Sequence, residues 1–227
     1  FRGRSAVCTF SAGMLASGNV TFTPSLPARK QHALGRVKMG PLTKIVIHFK
    51  EKFWPRDASL SLRIDPDRRV GRIYFHVFYD EESFDPQNPA VLTALLQGHD
   101  AKKVALWDDE TLLKNICSDL DEMFPSDESS WDRVARNEDG SLRFIRKAWM
   151  DDPFAKGGVS FIAFEPNDPV DVLNLRHDLA DSSETAPLFW AGEATTTATQ
   201  PSSVHGAHTT GLRAAQEVKA YLGLQET

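Results

Sequence analysis

The sequence has few of the features that mark several large protein classes. Its 227 residues include two cysteines, Cys8 and Cys117, which form neither a zinc-ligand spacing nor a disulfide framework. No stretch approaches the roughly 20 consecutive apolar residues that a membrane-spanning helix needs. We found no internal repeat and no low-complexity segment. The scarcity of cysteine favours a reducing compartment, although a secreted protein with two free thiols remains an open alternative.

An excess of basic residues is also missing. Lysine and arginine number 26 and aspartate and glutamate number 31, which gives a formal net charge of −5. The electrostatic footprint of a nucleic-acid-binding domain is therefore absent, and cationic partners would not be repelled. Hydrophobic residues at 41% and charged residues at 25% are ordinary values, and they exclude a disordered or fibrous chain. The length suits one large domain or two ordinary ones.

The first residues do not resemble the start of a complete chain. The sequence opens with Phe1-Arg2-Gly3-Arg4 instead of methionine, and a strand is predicted almost immediately, over residues 5–10. We find no targeting signal. We therefore expect a chain whose true beginning is missing or was cleaved away. Its compartment is unassigned, with a cytoplasmic or peroxisomal location favoured over secretion.

Hydrophobic periodicity predicts an alternation of strands and helices. Strands are predicted over 5–10, 43–49, 72–79, 144–149, 159–164 and 187–191. Helices are predicted over 28–37 and 90–98, from a cap at Asp108 or Asp109 to a stop at Pro125, and from about 205 to 222. Residues 165–186 form a polar stretch with no predicted element.

Lys44 stands out within the strand predicted over 43–49. Ile45, Ile47 and Phe49 alternate on one face of that strand, and Lys44 lies one position off this apolar face. A lysine in this setting is either an edge-strand residue reaching water or a buried functional amine. The pattern alone leaves both possibilities open.

The segment 188–207 is the richest in chemistry-bearing residues. It predicts a strand, a turn at Gly192, a loop, and a helix that begins near Ser202 and Ser203. A glycine at a strand end lets backbone approach a ligand, and a helix start offers N–H donors and a positive dipole end. An ordinary capped helix after a loop gives the same pattern. His205 and His208 lie on one helix face, but no third ligand is near, so we predict no metal site.

Six segments in the right order carry a family resemblance. They read TFSAGML at 9–15, FTPSLP at 22–27, TKI at 43–45 with FWP at 53–55, AW at 148–149 with DPF at 152–154 and a glycine at 157, FWAGEAT at 189–195, and VHGA at 204–207. Together they resemble the flavin-dependent amine oxidases, which include polyamine oxidases, monoamine oxidases and lysine-specific histone demethylases. The last two segments are the most specific.

The resemblance implies an α/β flavoenzyme of two interleaved domains. Residues 1–22 would be a returning segment of a Rossmann-like FAD-binding domain. Residues 23–183 would form an α+β substrate-binding domain with a mixed sheet and helices. Residues 184–227 would be the C-terminal segment of the FAD-binding domain.

The resemblance also implies where FAD would be bound. Gly192 and Glu193 would lie beside its ribityl and phosphate region. Ser203 and Val204 would donate toward the pyrimidine edge of the flavin, and a helix N-terminus there would stabilise the negative charge of the reduced ring. Trp149, by default a core aromatic, would instead pack along the flavin.

Lys44 would match the family lysine that holds a water against flavin N5, and it is the catalytic candidate. The implied reaction moves a hydride equivalent from the carbon beside an amine to the flavin, water hydrolyses the imine, and O2 is reduced to H2O2. The partners would be a small-molecule amine, a polyamine above all, and O2, with neither nucleic acid nor membrane.

Departures from the family pattern limit these expectations. The G-x-G-x-x-G dinucleotide motif is nowhere in the sequence, so we expect a fragment that lacks an N-terminal FAD-domain segment and is inactive by itself. Ser11 and Ala12 replace the family's Pro-Leu, and Gln200 stands where an aromatic residue is common, which leaves the amine class open. The alternatives are a non-catalytic or truncated family member and one chain of a processed L-amino-acid oxidase.

Overall fold

The computed structural model describes residues 1–55, 60–64, 71–76, 90–163, 172–196 and 201–224. The chain forms two compact units. The split unit comprises Phe1–Gly40 and Met150–Thr227, and the sheet unit comprises Pro41–Trp149. The sequence had suggested divisions at 22/23 and 183/184, and the assignment of cofactor and substrate to particular segments stays a prediction.

The described elements alternate between strands and helices along the chain. In order they are β1 Ala6–Cys8, α1 Ala12–Ala16, α2 Ala28–Arg36, β2 Val37–Gly40, β3 Leu42–Phe49, β4 Leu60–Ile64, β5 Gly71–His76, β6 Ala90–Gln97, α3 Gly98–Ala105, α4 Asp109–Met123, α5 Ser130–Arg133, β7 Phe144–Ala148, β8 Val159–Ile162, α6 Val172–Ala180, β9 Leu188–Trp190 and α7 Val204–Leu222. Among the helices of the described residues, none is long and apolar enough to cross a bilayer.

The sheet unit contains a five-stranded sheet in the order β4-β5-β6-β3-β7. Every pairing in it is antiparallel, so the expectation of a mixed sheet is wrong for the described strands. Neighbouring strands run in opposite directions without the long crossovers that parallel pairing requires. Ile45, Ile47 and Phe49 of β3 are buried against α4, as their alternation predicted.

Strand β6 corrects the prediction of a helix over 90–98. The strand pairs with β3 along its whole length and with β5 on its other side. Leu92, Ala94 and Leu96 are buried in the core, which is the period of two that a strand requires. Short runs of Leu, Ala and Val fit both the helical period of 3.6 residues and the strand period of two. Here the pairing with β3 and β5 overrides helix propensity. Gly98 has a positive φ of 59°, but it begins α3 instead of ending a helix.

The split unit is built from two small sheets and the helices packed on them. β1 pairs with β9 in parallel, and β2 pairs with β8 in antiparallel. Its core includes Ala33 and Leu34 of α2, Leu179 of α6 and Trp190 of β9. The predicted elements at α2, β9 and α7 are confirmed, and Asp108 caps α4 as expected. A Rossmann-like arrangement of the returning segments stays a prediction.

Helix α6 lies within the stretch 165–186, where the sequence predicted no element. Its buried positions include Leu175 and Leu179 but also Arg176, which weakens the apolar periodicity. Because arginine is rarely buried, a pattern-based analysis assigns such a position to the surface. Residues 77–79 of the predicted second strand lie outside the described part of the chain.

Gly157, the glycine that ends the AW-DPF segment, is expected to tolerate no side chain. Its φ is +140°, and a Cβ built on it would collide with the Cβ of Met39. Gly157→Ala should therefore destabilise the protein by about 2–4 kcal/mol through backbone strain and overpacking. The control is Gly35→Ala in α2, where an added Cβ would have no atom of the described residues within 4 Å. Urea unfolding of both variants checks this, and equal effects would contradict it.

Candidate functional site

The candidate site lies at the carboxyl edge of the β1–β9 pair. Cys8 pairs with Trp190 at the ends of the two strands, and the Ala191 amide donates to the Cys8 carbonyl at 3.0 Å. In parallel sheets, the carboxyl ends of the strands share one edge, and ligands of α/β proteins bind at that edge. The turn that follows β9 therefore stands where a ligand would approach.

Gly192 forms this turn with a backbone conformation that favours glycine. Its φ of 126° lies in the region that other residues rarely adopt. A Cβ at this position would have no atom of the described residues within 4 Å, so the glycine face is open toward that part of the chain. The Gly192 amide donates to Thr210 Oγ1 at 3.0 Å, which ties the turn to α7. The backbone at Gly192 is therefore held in place by α7, and its Cα faces space that a ligand could occupy.

Glu193 is half-buried and already has two partners in the protein. Its Oε2 accepts a hydrogen bond from Ser160 Oγ at 2.6 Å and another from the Ser202 amide at 2.9 Å. The carboxylate thus joins β8 to the residues that precede α7. The sequence pattern predicts Glu193 only as a contact for the cofactor and does not indicate this role in the fold. Its contact with a cofactor stays a prediction.

The N-terminus of α7 is capped as the sequence predicted. Ser203 Oγ accepts a hydrogen bond from the Gly206 amide at 3.0 Å, and its carbonyl accepts from the Ala207 amide at 3.1 Å. Val204, the first helical residue, has a side chain that is 83% exposed. The amides of the first turn precede the intrahelical bonds and carry the positive end of the helix dipole. This terminus can donate to an anionic or electron-rich group.

Lys44 occupies a position that neither sequence alternative described. It lies on β3, an interior strand of the sheet, so it is not an edge lysine. Its side chain is exposed and points away from the core, so it is not a buried amine. Its cross-strand partners are Leu95 and Lys147. An exposed ammonium on a rigid central strand is available to a ligand on that face.

Trp149 follows the end of β7 and begins a 3-10 turn, Trp149–Asp151. It is half-buried, so it does not fill the default role of a core aromatic. The Lys147 Nζ lies 5.3 Å from the centroid of its ring. The side chain therefore retains exposed surface that a planar ligand could cover.

The structure groups the six predicted site residues in two sets. Gly192, Glu193, Ser203 and Val204 come together in the split unit around the β9–α7 connection, while Lys44 and Trp149 belong to the sheet unit. Within the described residues, no three His, Cys, Asp or Glu side chains cluster as a metal site would require.

The split unit contains buried cations that the sequence pattern does not indicate, among them Arg176 and Lys30. Arg176 is 5% exposed and donates to the Ala194 carbonyl at 3.0 Å. Lys30 is 2% exposed and donates to the Leu179 carbonyl at 2.7 Å, with its Nζ 4.4 Å above the ring of Trp190. Burial lowers the pKa of Lys30 to about 8. No local pattern signals either residue, because their partners are backbone carbonyls distant in sequence.

The chain is similar to known proteins in both sequence and fold. The family model described as flavin containing amine oxidoreductase matches residues 1–219. Protein FLOWERING LOCUS D of Arabidopsis thaliana is 32% identical, over 95% of this chain and 25% of its own length. Polyamine oxidase 2 of the same plant is 28% identical, over 96% of this chain and 39% of its own length.

A solved structure shows the same fold. Cyclohexylamine oxidase from Brevibacterium oxydans superposes with a TM-score of 0.72 at 18% identity, covering 98% of this chain and 44% of that protein. The chain spans between a quarter and two-fifths of the two curated relatives described above. Because the family model matches almost the whole chain, this chain belongs to the flavin-containing amine oxidoreductase family, whose cofactor is FAD.

Proposed function

We propose that this chain forms part of an FAD-dependent amine oxidase that acts on a polyamine and reduces O2 to H2O2. The observation that carries the proposal is the open turn at Gly192 beside the capped N-terminus of α7, at the carboxyl edge of β1 and β9. This arrangement offers an open backbone face and helix N–H donors on one small surface.

The residues of this turn suit a flavin. Gly192 leaves room for the cofactor to approach the backbone, and Glu193 offers a carboxylate to its hydroxyl groups. Ser203, whose hydroxyl oxygen accepts from the Gly206 amide, and the amide of Val204 would donate toward the ring edge. The positive end of α7 stabilises the negative charge that a reduced flavin acquires. When bound, FAD supplies the two-electron acceptor for oxidation of the substrate carbon–nitrogen bond.

The sheet unit would supply the catalytic lysine. Lys44 is positioned by β3, and its ammonium is exposed, so it can donate to a water molecule and hand over a proton. Trp149 would pack along the flavin and limit the access of bulk water. Both roles require side chains that a ligand can reach, and in the structure Lys44 is exposed and Trp149 is half-buried.

Two observations support a polyamine as the substrate. The likeness to a polyamine oxidase extends over 96% of this chain. The net charge of −5 favours the approach of polycationic molecules. Gln200, the departure that leaves the amine class open, lies outside the described residues.

The proposal is tested by adding FAD to the purified chain and following flavin absorbance. Binding by the chain alone is expected to be weak, because the sequence contains no G-x-G-x-x-G motif. The G-x-G-x-x-G-bearing segment of a polyamine oxidase, supplied as a second chain, should strengthen it. Anaerobic spermine or spermidine should then bleach the bound flavin, and air should yield H2O2.

The controls separate the proposal from its alternatives. An L-amino acid that bleaches the flavin while polyamines do not would favour an amino-acid oxidase. Bound flavin that no amine reduces would favour a non-catalytic family member. Absence of flavin binding both alone and with the added segment would contradict the proposal.

A further inference from the structure

A charged network lies beneath the turn at Gly192. Arg176 of α6 is buried, and it contacts the turn through the Ala194 carbonyl at 3.0 Å. Both of its terminal nitrogens also lie 3.4 Å from Ser160 Oγ on β8. Burial lowers the pKa of this guanidinium, and the nearby Glu193 carboxylate opposes that shift. Arg176 is thus a buried cation with Glu193 as a compensating charge.

Ser160 connects these two charged groups. It is 4% exposed, and its hydroxyl donates to Glu193 Oε2 at 2.6 Å while facing Arg176. Its carbonyl accepts from Ser202 Oγ at 2.6 Å, and the Ser202 amide donates to the same Glu193 oxygen at 2.9 Å. Glu193 Oε2 therefore links the turn after β9 to β8 and to the residues before α7. The Arg176 guanidinium contacts the same network through Ser160.

We propose that Arg176 is a positioning residue for the candidate site, which acts through Ser160 and the Ala194 carbonyl to orient the Glu193 carboxylate toward Ser202 and the start of α7. Its relevance to the cofactor rests on the proposed function. A purely structural arginine would support the turn without setting the direction of Glu193. The two roles differ in what happens to the Ser202 amide when the arginine is removed.

The test measures amide hydrogen exchange at Ser202 and FAD affinity, both in the full chain. Arg176→Met keeps the length of the side chain and removes its charge and donors. We expect exchange at Ser202 to accelerate about tenfold or more because its acceptor is no longer held. The dissociation constant for FAD should rise about tenfold, and Arg176→Lys should restore part of both effects.

The matched control is Arg36→Met. Arg36 is also a buried arginine, and it donates to the Ala163 carbonyl at 3.0 Å near the end of β8. It makes no hydrogen bond to Glu193 or Ser160 among those of the described residues. Its loss should lower stability and leave exchange at Ser202 unchanged.

A double variant tests the route of the effect. If Arg176 acts through Glu193, then Arg176→Met added to Glu193→Gln should change FAD affinity less than twofold beyond Glu193→Gln alone. Independent, multiplying effects would overturn the proposal. Should Arg176→Met fail to fold, Ser160→Ala removes only the connecting hydroxyl and should raise Ser202 exchange in the same way.

The outcomes distinguish this inference from the proposed function. Unchanged exchange at the Ser202 amide in Arg176→Met, or an equal change in Arg36→Met, overturns the positioning role regardless of the measured FAD affinity. Accelerated exchange in a chain that binds no FAD, even with the added segment, supports the positioning of Glu193 and contradicts the flavin assignment.

Discussion

Replacing Lys44 with methionine is expected to slow flavin reduction or reoxidation by about 10²–10⁴-fold in the FAD-loaded protein, the usual contribution of a positioned proton donor. The side chain is exposed on the face of β3 opposite the core, so its loss should barely change stability. Methionine has a similar length and no charge, which isolates the ammonium. Stopped-flow absorbance, with anaerobic amine and then with O2, measures the two half-reactions separately.

Lys50→Met is the matched control for this experiment. Lys50 follows β3 directly, is exposed, and donates to the Asp132 carbonyl at 2.7 Å. Its replacement should leave both rates unchanged. If Lys44→Met also leaves both rates unchanged, then Lys44 is a solvated lysine on a central strand and the catalytic assignment is wrong.

Lys30 is expected to make the protein more stable as the pH rises from about 8 to 10.5. Burial is the main reason that its pKa lies at about 8, since the charged form is desolvated. In that range the unfolded lysine still holds the proton that the folded lysine has lost. The unfolded state therefore binds more protons, and the free energy of unfolding increases by about 3 kcal/mol across the range from this group.

The pH effect is measured as a difference between variants. Urea unfolding of the wild type and Lys30→Met at a series of pH values should give a stability difference that changes by about 3 kcal/mol between pH 8 and 10.5. Groups that titrate there independently of Lys30 cancel in this difference. Lys38→Met, at an exposed position of β2, should give a constant difference. A constant difference for Lys30→Met would show that its amine titrates normally.

Local patterns in the sequence predicted the parts of the fold that local physics determines. Asp108 accepts from the Thr111 amide at 2.8 Å and starts α4 where a cap was expected. The alternation of Ile45, Ile47 and Phe49 placed β3 and its buried face correctly. Ser203 likewise caps α7. Each signal involves residues within a few positions of one another.

The rest depends on partners that are distant in sequence. The apolar run at β6 became a strand because β3 and β5 pair with it, which its own residues do not specify. Arg176 and Lys30 can be buried because carbonyls elsewhere in the chain accept their hydrogen bonds. The network around Glu193 joins α6, β8 and the start of α7, so no single window of sequence contains it.

The pairing of Ala6 with Leu188 has a consequence for the order of folding during synthesis. The sheet unit is one continuous segment, Pro41–Trp149, so it can fold once that segment has left the ribosome. β1 stays unpaired until β9 has been synthesised after the whole sheet unit, and closing so long a loop is entropically costly. We therefore expect the sheet unit to be folded before the Gly192 turn is synthesised, and flavin binding at that turn to follow the folding of the sheet unit.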